Sequence, residues 1–228
     1  KPELQFILPD EANRPVYVQP GSIVEATGAI ASRDARVSPL FNRVSELRSD
    51  LRSQSAQLRV GIAPQTFSQR YNWSLNYTLA NVREQYRGFQ STVGNPQQLG
   101  WSPSAGESRH QITYNLFYNF FDAVRVNWFG QIRSGSPYTP GIAGDVNGDG
   151  YSNDRAFIYD PVTTGDPALA TAIRDLLASS TGSARECLEK QLGTLATRNS
   201  CTGPWTTNAN LNISFNPSPD QKKTIQAL

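Results

Sequence analysis

Strict alternation of apolar and polar residues over ten or so positions confines a segment to an extended strand with two unlike faces, because successive strand side chains point to opposite sides. This chain does it repeatedly. In RHQITYNLFYNFF, residues His110, Ile112, Tyr114, Leu116, Tyr118 and Phe120 form one face, against Gln111, Thr113, Asn115, Phe117 and Asn119 on the other. YNWSLNYTLA sets Tyr71, Trp73, Leu75, Tyr77 and Leu79 against Asn72, Ser74, Asn76, Thr78 and Ala80. In VRVNWFGQIR, Val124, Val126, Trp128 and Ile132 oppose Arg125, Asn127, Gln131 and Arg133. TNANLNISF opposes Ala209, Leu211, Ile213 and Phe215 to Asn208, Asn210, Asn212 and Ser214, and AQLRVGI opposes Ala56, Leu58, Val60 and Ile62 to Gln57, Arg59 and Gly61.

Half-buried strands of a soluble sandwich alternate too, so the connections must discriminate. They run short, long, short, long, short: 64–70, 86–109, 122–123, 134–206 and 216–222. Short turns at one end of a sheet and long loops at the other are the plan of outer-membrane β-barrels. The pattern predicts an all-β, antiparallel transmembrane barrel segment, with lipid on the aromatic and aliphatic face and a wet lumen lined by Arg59, Arg125, Asn127, Gln131 and Arg133. Tyr71, Trp73, Phe120 and Phe121 are placed for an aromatic girdle beside the short turns. Extended pieces are also expected at 4–8, 14–18 and 222–228.

Composition agrees and excludes other classes. Only 38% of the 228 residues are hydrophobic, and the longest apolar run falls far short of the ~20 residues of a membrane helix. Neither observation counts against a barrel, whose strands keep overall hydropathy low. The formal charge of +2 is scattered without a basic run, so no nucleic-acid partner is expected. His110 is the single histidine and falls on the apolar face, no G-x-S-x-G or phosphate loop occurs, and an enzyme is not expected.

The connection over 134–205 is far longer than a turn needs and must carry structure of its own. Asp166-Pro167 followed by Leu169, Ile173, Leu176 and Leu177 reads as a short helix with proline in its first turn. Ser183-Ala-Arg-Glu186 has the form of a capping box opening a second helix. Cys187 and Cys201 stand either as a disulfide, expected in an oxidising compartment, or as two free thiols.

Within the same connection, Asp145, Asn147, Asp149 and Gly150 follow the 1, 3, 5 and 6 spacing of a calcium loop, with the Tyr151 carbonyl at 7 and Asn153 at 9. Position 12 is Ala156 where a bidentate glutamate belongs, leaving Asp154 or Asp160 as substitutes. A calcium site and a metal-free turn rich in Asp, Asn and Gly both fit the pattern.

The runs SGSPYTPGIAGDVNGDGYSNDRAFIYDP (Ser134 to Pro161) and ARECLEKQLGTLATRNSCTGPWTTNANLNISF (Ala184 to Phe215) resemble the Oar-like TonB-dependent receptors of the bacterial outer membrane. FNRVSELRSDLRSQSAQLRV (Phe41 to Val60) and RGFQSTVGNP (Arg87 to Pro96) extend the likeness over most of the chain. The resemblance implies a barrel of about 22 strands, of which this chain would be a part lacking the plug domain. It further implies uptake of a solute across the outer membrane, with membrane lipid, the plug and the TonB complex as partners. A secreted calcium-binding β-sandwich or adhesin module and a passive outer-membrane channel are the alternatives.

Overall fold

The computed structural model describes residues 4–25, 27–30, 33–34, 38–41, 47–66, 68, 70–87, 99–121 and 123–215. The expected strand at 222–228, the turn at 216–222, Asp122 and most of the 87–96 segment lie outside them. The chain divides into two compact units: 1–54, 82–106 and 137–203 in the first, and 55–81, 107–136 and 204–228 in the second.

The strands of the second unit belong to an antiparallel sheet. β3 (Ser53–Ile62), β4 (Tyr71–Arg87), β6 (His110–Phe120), β7 (Val124–Arg133) and β12 (Thr206–Phe215) lie side by side in the order β12-β7-β6-β4-β3. Chain neighbours are sheet neighbours, so this is a meander of hairpins, the least entangled way to assemble antiparallel strands. Among the described residues the sheet does not close on itself, and β12 and β3 are its edges.

The expected strand bounds hold within a few residues, with one exception. β4 continues to Arg87, and a further strand, β5 (Leu99–Pro103), returns onto its last five residues. The first nine residues of β4 pair instead with β6. The long connection after β4 is thus partly an extension of the sheet. Gly100 permits the pairing, since a Cβ there would come within 2.7 Å of the Tyr86 ring of the opposite residue.

Register carries the alternation across the strands. Trp73, Leu116, Trp128 and Leu211 form one cross-strand row, and Tyr71, Tyr118, Val126 and Ile213 form another. A third row, Leu75, Tyr114, Gly130 and Ala209, contains a glycine under an aromatic ring. A Cβ on Gly130 would lie 2.7 Å from the Tyr114 hydroxyl and run into the Asn208 carbonyl. Tyr114 also meets Trp128 edge to face at 5.1 Å, so the ring that covers the glycine fixes the strand pair. Between β6 and β7 the chain reverses through Phe121, whose φ of 51° is rare for a bulky residue.

The first unit is built of short pieces. β1 (Phe6–Leu8) and β2 (Arg14–Val16) form a hairpin whose Val16, with Val18 just beyond it, is buried among Phe6, Leu8, Ile23 and Ile30. β8 (Pro137–Tyr138) pairs with β11 (Cys201–Thr202), and β9 (Phe157–Ile158) with β10 (Thr194–Leu195).

Helix α1 (Pro167–Ser179) starts as its sequence directs, with the Asp166 carboxylate accepting from the N–H groups of Ala168 and Leu169 at 2.8 and 3.3 Å. Helix α2 (Gly182–Glu189) corrects the capping-box expectation, because its N-cap is Thr181 and Ser183 lies inside the first turn. Arg185 folds back to donate to the carbonyls of Leu177, Ala178 and Ser180, and Glu186 pairs with Lys190 at 2.7 Å. The demand of the carbonyls at the end of α1 thereby sets where α2 begins.

Candidate functional site

Two features carry chemistry: the two-faced sheet of the second unit and the Asp-rich loop of the first. On the sheet's apolar face large side chains stay open to the surroundings. Trp73 is 38% exposed, Leu116 42%, Trp128 46% and Leu211 64%, so this face is not packed as a core. Soluble monomers rarely present an apolar area of this extent. Aromatic residues gather toward both ends. Near the short turn stand Tyr71, Tyr118, Phe120, Phe121 and Phe215, with Tyr118 and Phe120 rings 4.3 Å apart. Toward the opposite end His110 stacks on both Tyr77 and Trp205, at 6.2 and 6.0 Å, and its Nδ1 lies 2.8 Å from the Tyr77 hydroxyl. Trp73 itself falls in a middle row rather than in the expected girdle, because six residues separate it from the far end of its strand pairing with β6.

The opposite face is an amide surface. Asn72, Phe117, Asn127 and Asn212 form one row, Ser74, Asn115, Phe129 and Asn210 the next, and Asn76, Thr113, Gln131 and Asn208 the third. Asparagine is a poor strand former, but here neighbouring amides bond to one another. Gln111 Nε2 donates to Gln131 Oε1 at 3.3 Å, and Asn210 Nδ2 to Asn208 Oδ1 at 2.7 Å.

All five residues expected on a polar lining fall on this face. Arg125, Asn127, Gln131 and Arg133 alternate along β7, with Arg133 Nε donating to the Thr206 hydroxyl at 3.1 Å. Arg59 joins them because Gly61, two residues on, faces the Asn76 side chain. Between the strands this face holds a hollow of about 550 Å³. Its lining contains no charged side chain. Sequence alternation alone could not reveal that hollow, since it depends on sheet curvature.

In the first unit, the Asp145 loop is wound by its own oxygens. Asp145 Oδ1 accepts from Gly148 N at 2.6 Å and Asp149 N at 3.2 Å, while Oδ2 accepts from Gly150 N at 2.8 Å. Asn147 Oδ1 takes the Asp149 N–H and Asp149 Oδ1 the Tyr151 N–H, both at 2.9 Å. Gly148, at φ 74°, packs on Val18, where a Cβ would come within 2.6 Å of a methyl group.

Asp154, 1% exposed, closes the loop by accepting from Val146 N at 2.6 Å and Asn147 N at 3.2 Å. It also faces Arg14 Nη1 at 3.7 Å. Arg14 is fully buried, donates to Glu11 at 2.5 Å and to the Arg155 carbonyl at 2.7 Å, and so fastens the β1–β2 hairpin to the loop. Nothing in the sequence flags Arg14, because its loop partners lie about 140 residues away.

The electrostatics follow from crowding. Burial pushes the Asp149 carboxyl up to about 7, opposed by the Tyr151 N–H and reinforced by the charges of Asp145 and Asp154. Asp145 is raised for the same first reason, against the N–H groups of Gly150 and Gly148. Among the described residues no three Asp, Glu, His or Cys side chains are grouped to hold a metal ion. Position 12, Ala156, is occupied with donating its N–H to the Pro140 carbonyl, and Asp160 caps its own turn at Val162 N. The donor set is engaged in winding the loop, Asn153 included as a neighbour rather than a shown ligand, and no step below is routed through calcium.

The two cysteines form the expected disulfide, tying α2 to β11. Gln191 braces it, its Nε2 reaching the Cys187 carbonyl at 3.1 Å and its Oε1 accepting from Thr197 N at 2.8 Å.

Comparison with protein-family models, with curated proteins and with solved structures finds no match.

Proposed function

We propose that this chain is part of the wall of a bacterial outer-membrane β-barrel, the barrel portion of a TonB-dependent receptor that takes up a solute. In this reading the row of Trp73, Leu116, Trp128 and Leu211 meets lipid, and the Asn and Gln rows line the lumen. The 134–205 segment is an extracellular loop, held in shape by the disulfide and the Asp145 winding. The role is transport rather than catalysis.

The observation that carries the reading is the span of the exposed apolar face. β6 has eleven residues between His110 and Phe120. Ten steps of ~3.4 Å at a strand tilt of ~35–45° give a height of roughly 24–28 Å, the ~25 Å apolar band of an outer-membrane barrel. Aromatic residues stand toward both ends of that span, where girdles belong. The TonB complex and plug as partners rest on the family resemblance of the loop motifs alone.

Detergent dependence tests the proposal. The chain is expected to form β-structure in lauryldimethylamine oxide micelles, read by circular dichroism, and to aggregate when the detergent is diluted out. A chain that stays monomeric and folded in plain buffer would contradict it, and would favour a secreted β-sandwich.

A further inference from the structure

The polar face carries aromatic residues that neither the lipid-facing reading nor core packing explains. Phe129 is 40% exposed in the midst of an amide surface. Register surrounds it with amides on four sides: Asn115 and Asn210 lie directly across on the two neighbouring strands, and Asn127 and Gln131 lie two residues away along β7. The first pair stand about 4.8 Å away and the second about 6.8 Å away, from strand spacing and rise. All five line the hollow of about 550 Å³, a volume within the usual ~300–1,000 Å³ of small-molecule sites.

An apolar ring left in water contributes nothing to folding, and the amides around it are not saturated. Asn127 Oδ1 is buried without a hydrogen-bond partner. Gln131 uses its Oε1 to accept from Gln111, which leaves its own NH₂ as a donor. The hollow therefore offers a flat apolar surface with an acceptor on one side and a donor on the other.

We infer that the amide-framed Phe129 ring is a binding site for an uncharged, polyhydroxylated solute, a sugar, which names the solute class of the proposed transporter and rests on that reading. A pyranose presents a C–H face that stacks on an aromatic ring, with hydroxyls radiating around its edge. Each hydroxyl is both donor and acceptor, and each Asn or Gln amide is likewise both, so the ring of amides matches the ring of hydroxyls. A charged solute finds no counter-ion in this lining and would lose hydration without replacement. Missing hydroxyls would leave Asn127 unpaired, and unpaired polar groups are the basis of strong discrimination.

The test is isothermal titration calorimetry of the full chain in lauryldimethylamine oxide, a detergent without a sugar headgroup, against maltose, cellobiose, lactose and N,N′-diacetylchitobiose. At least one disaccharide is expected to bind, and Phe129→Ala to weaken it tenfold or more with the circular dichroism of the sheet unchanged. Asn210→Leu, on the edge strand β12, serves as a second variant if Phe129→Ala does not fold, with the same loss expected. A folded chain that binds none of the four, binds citrate instead, or binds equally well without the Phe129 ring would overturn the inference and leave the barrel intact. A chain that forms no sheet in micelles would overturn the barrel reading and this site with it.

Discussion

Leu116 and Phe120 lie on the same strand and the same face, and are equally exposed, at 42% and 43%. In water, replacing either by arginine has about the same consequence. In a bilayer the two sites differ. Leu116 is one residue from the midpoint of β6, and Phe120 is its last residue, so about 14 Å of strand, or roughly 10–11 Å of depth, separates them. Arginine at the midplane of a barrel's lipid face costs ~2–4 kcal/mol, and near the interface ~0–1. Loss of the Tyr118 ring contact adds about 0.5–1.5 kcal/mol at Phe120. Leu116→Arg is therefore expected to destabilise by about 3 kcal/mol and Phe120→Arg by about 1.5. Urea titration in phospholipid vesicles, followed by tryptophan fluorescence, measures both. Asn115→Arg, one residue away on the amide face, is expected to change stability by less than about 0.5 kcal/mol. Equal losses at 116 and 120, or a loss at Asn115 as large as at Leu116, would refute the depth argument.

Three further outcomes follow from the structure. Asp149 holds its proton up to about pH 7 in the folded loop and releases it near 3.8 when unfolded, so between those values the folded state binds more protons. Loop stability is full below about pH 4, falls as pH rises and levels above 7; hydrogen exchange at Tyr151 N should accelerate across that window, and Asp149→Asn should abolish the slope. Gly130→Val drives a side chain against the Tyr114 ring and the Asn208 carbonyl, an overpacking worth about 1–3 kcal/mol, and a melting point unchanged in micelles would show the ring does not cover the glycine. Replacing Cys187 and Cys201 with serine opens a closure of 14 residues, worth about 3 kcal/mol, and should speed proteolysis within 134–205 while the sheet's circular dichroism stays the same; loss of the sheet signal would contradict the separation of loop from strands.

The long strands were legible because period two is a local signal, and the cross-strand rows preserve what each segment shows alone. β5 was not, since LGWSP is short, ends in proline and pairs through a glycine that only the opposing Tyr86 explains. Helix α1 announced itself through Asp166 and Pro167, whereas the start of α2 answers to the carbonyls at the end of α1, a constraint that Ser183 and Glu186 do not reveal. The aspartates of the loop could be found by spacing, but spacing does not tell whether oxygens face an ion or the loop's own N–H groups. The Phe129 hollow sits between these cases: its residues were on the expected face, and their grouping around one ring needed the register.

The central claim is that one face of the sheet meets hydrocarbon. Single-tryptophan variants retaining Trp73, Trp128 or Trp205, reconstituted in lipids brominated at different depths along the acyl chain, measure it. Trp73 and Trp128 should be quenched most by deep bromines and Trp205, stacked on His110 toward one end of the band, by shallow ones. Quenching of all three that is weak, or independent of bromine depth, would contradict the account.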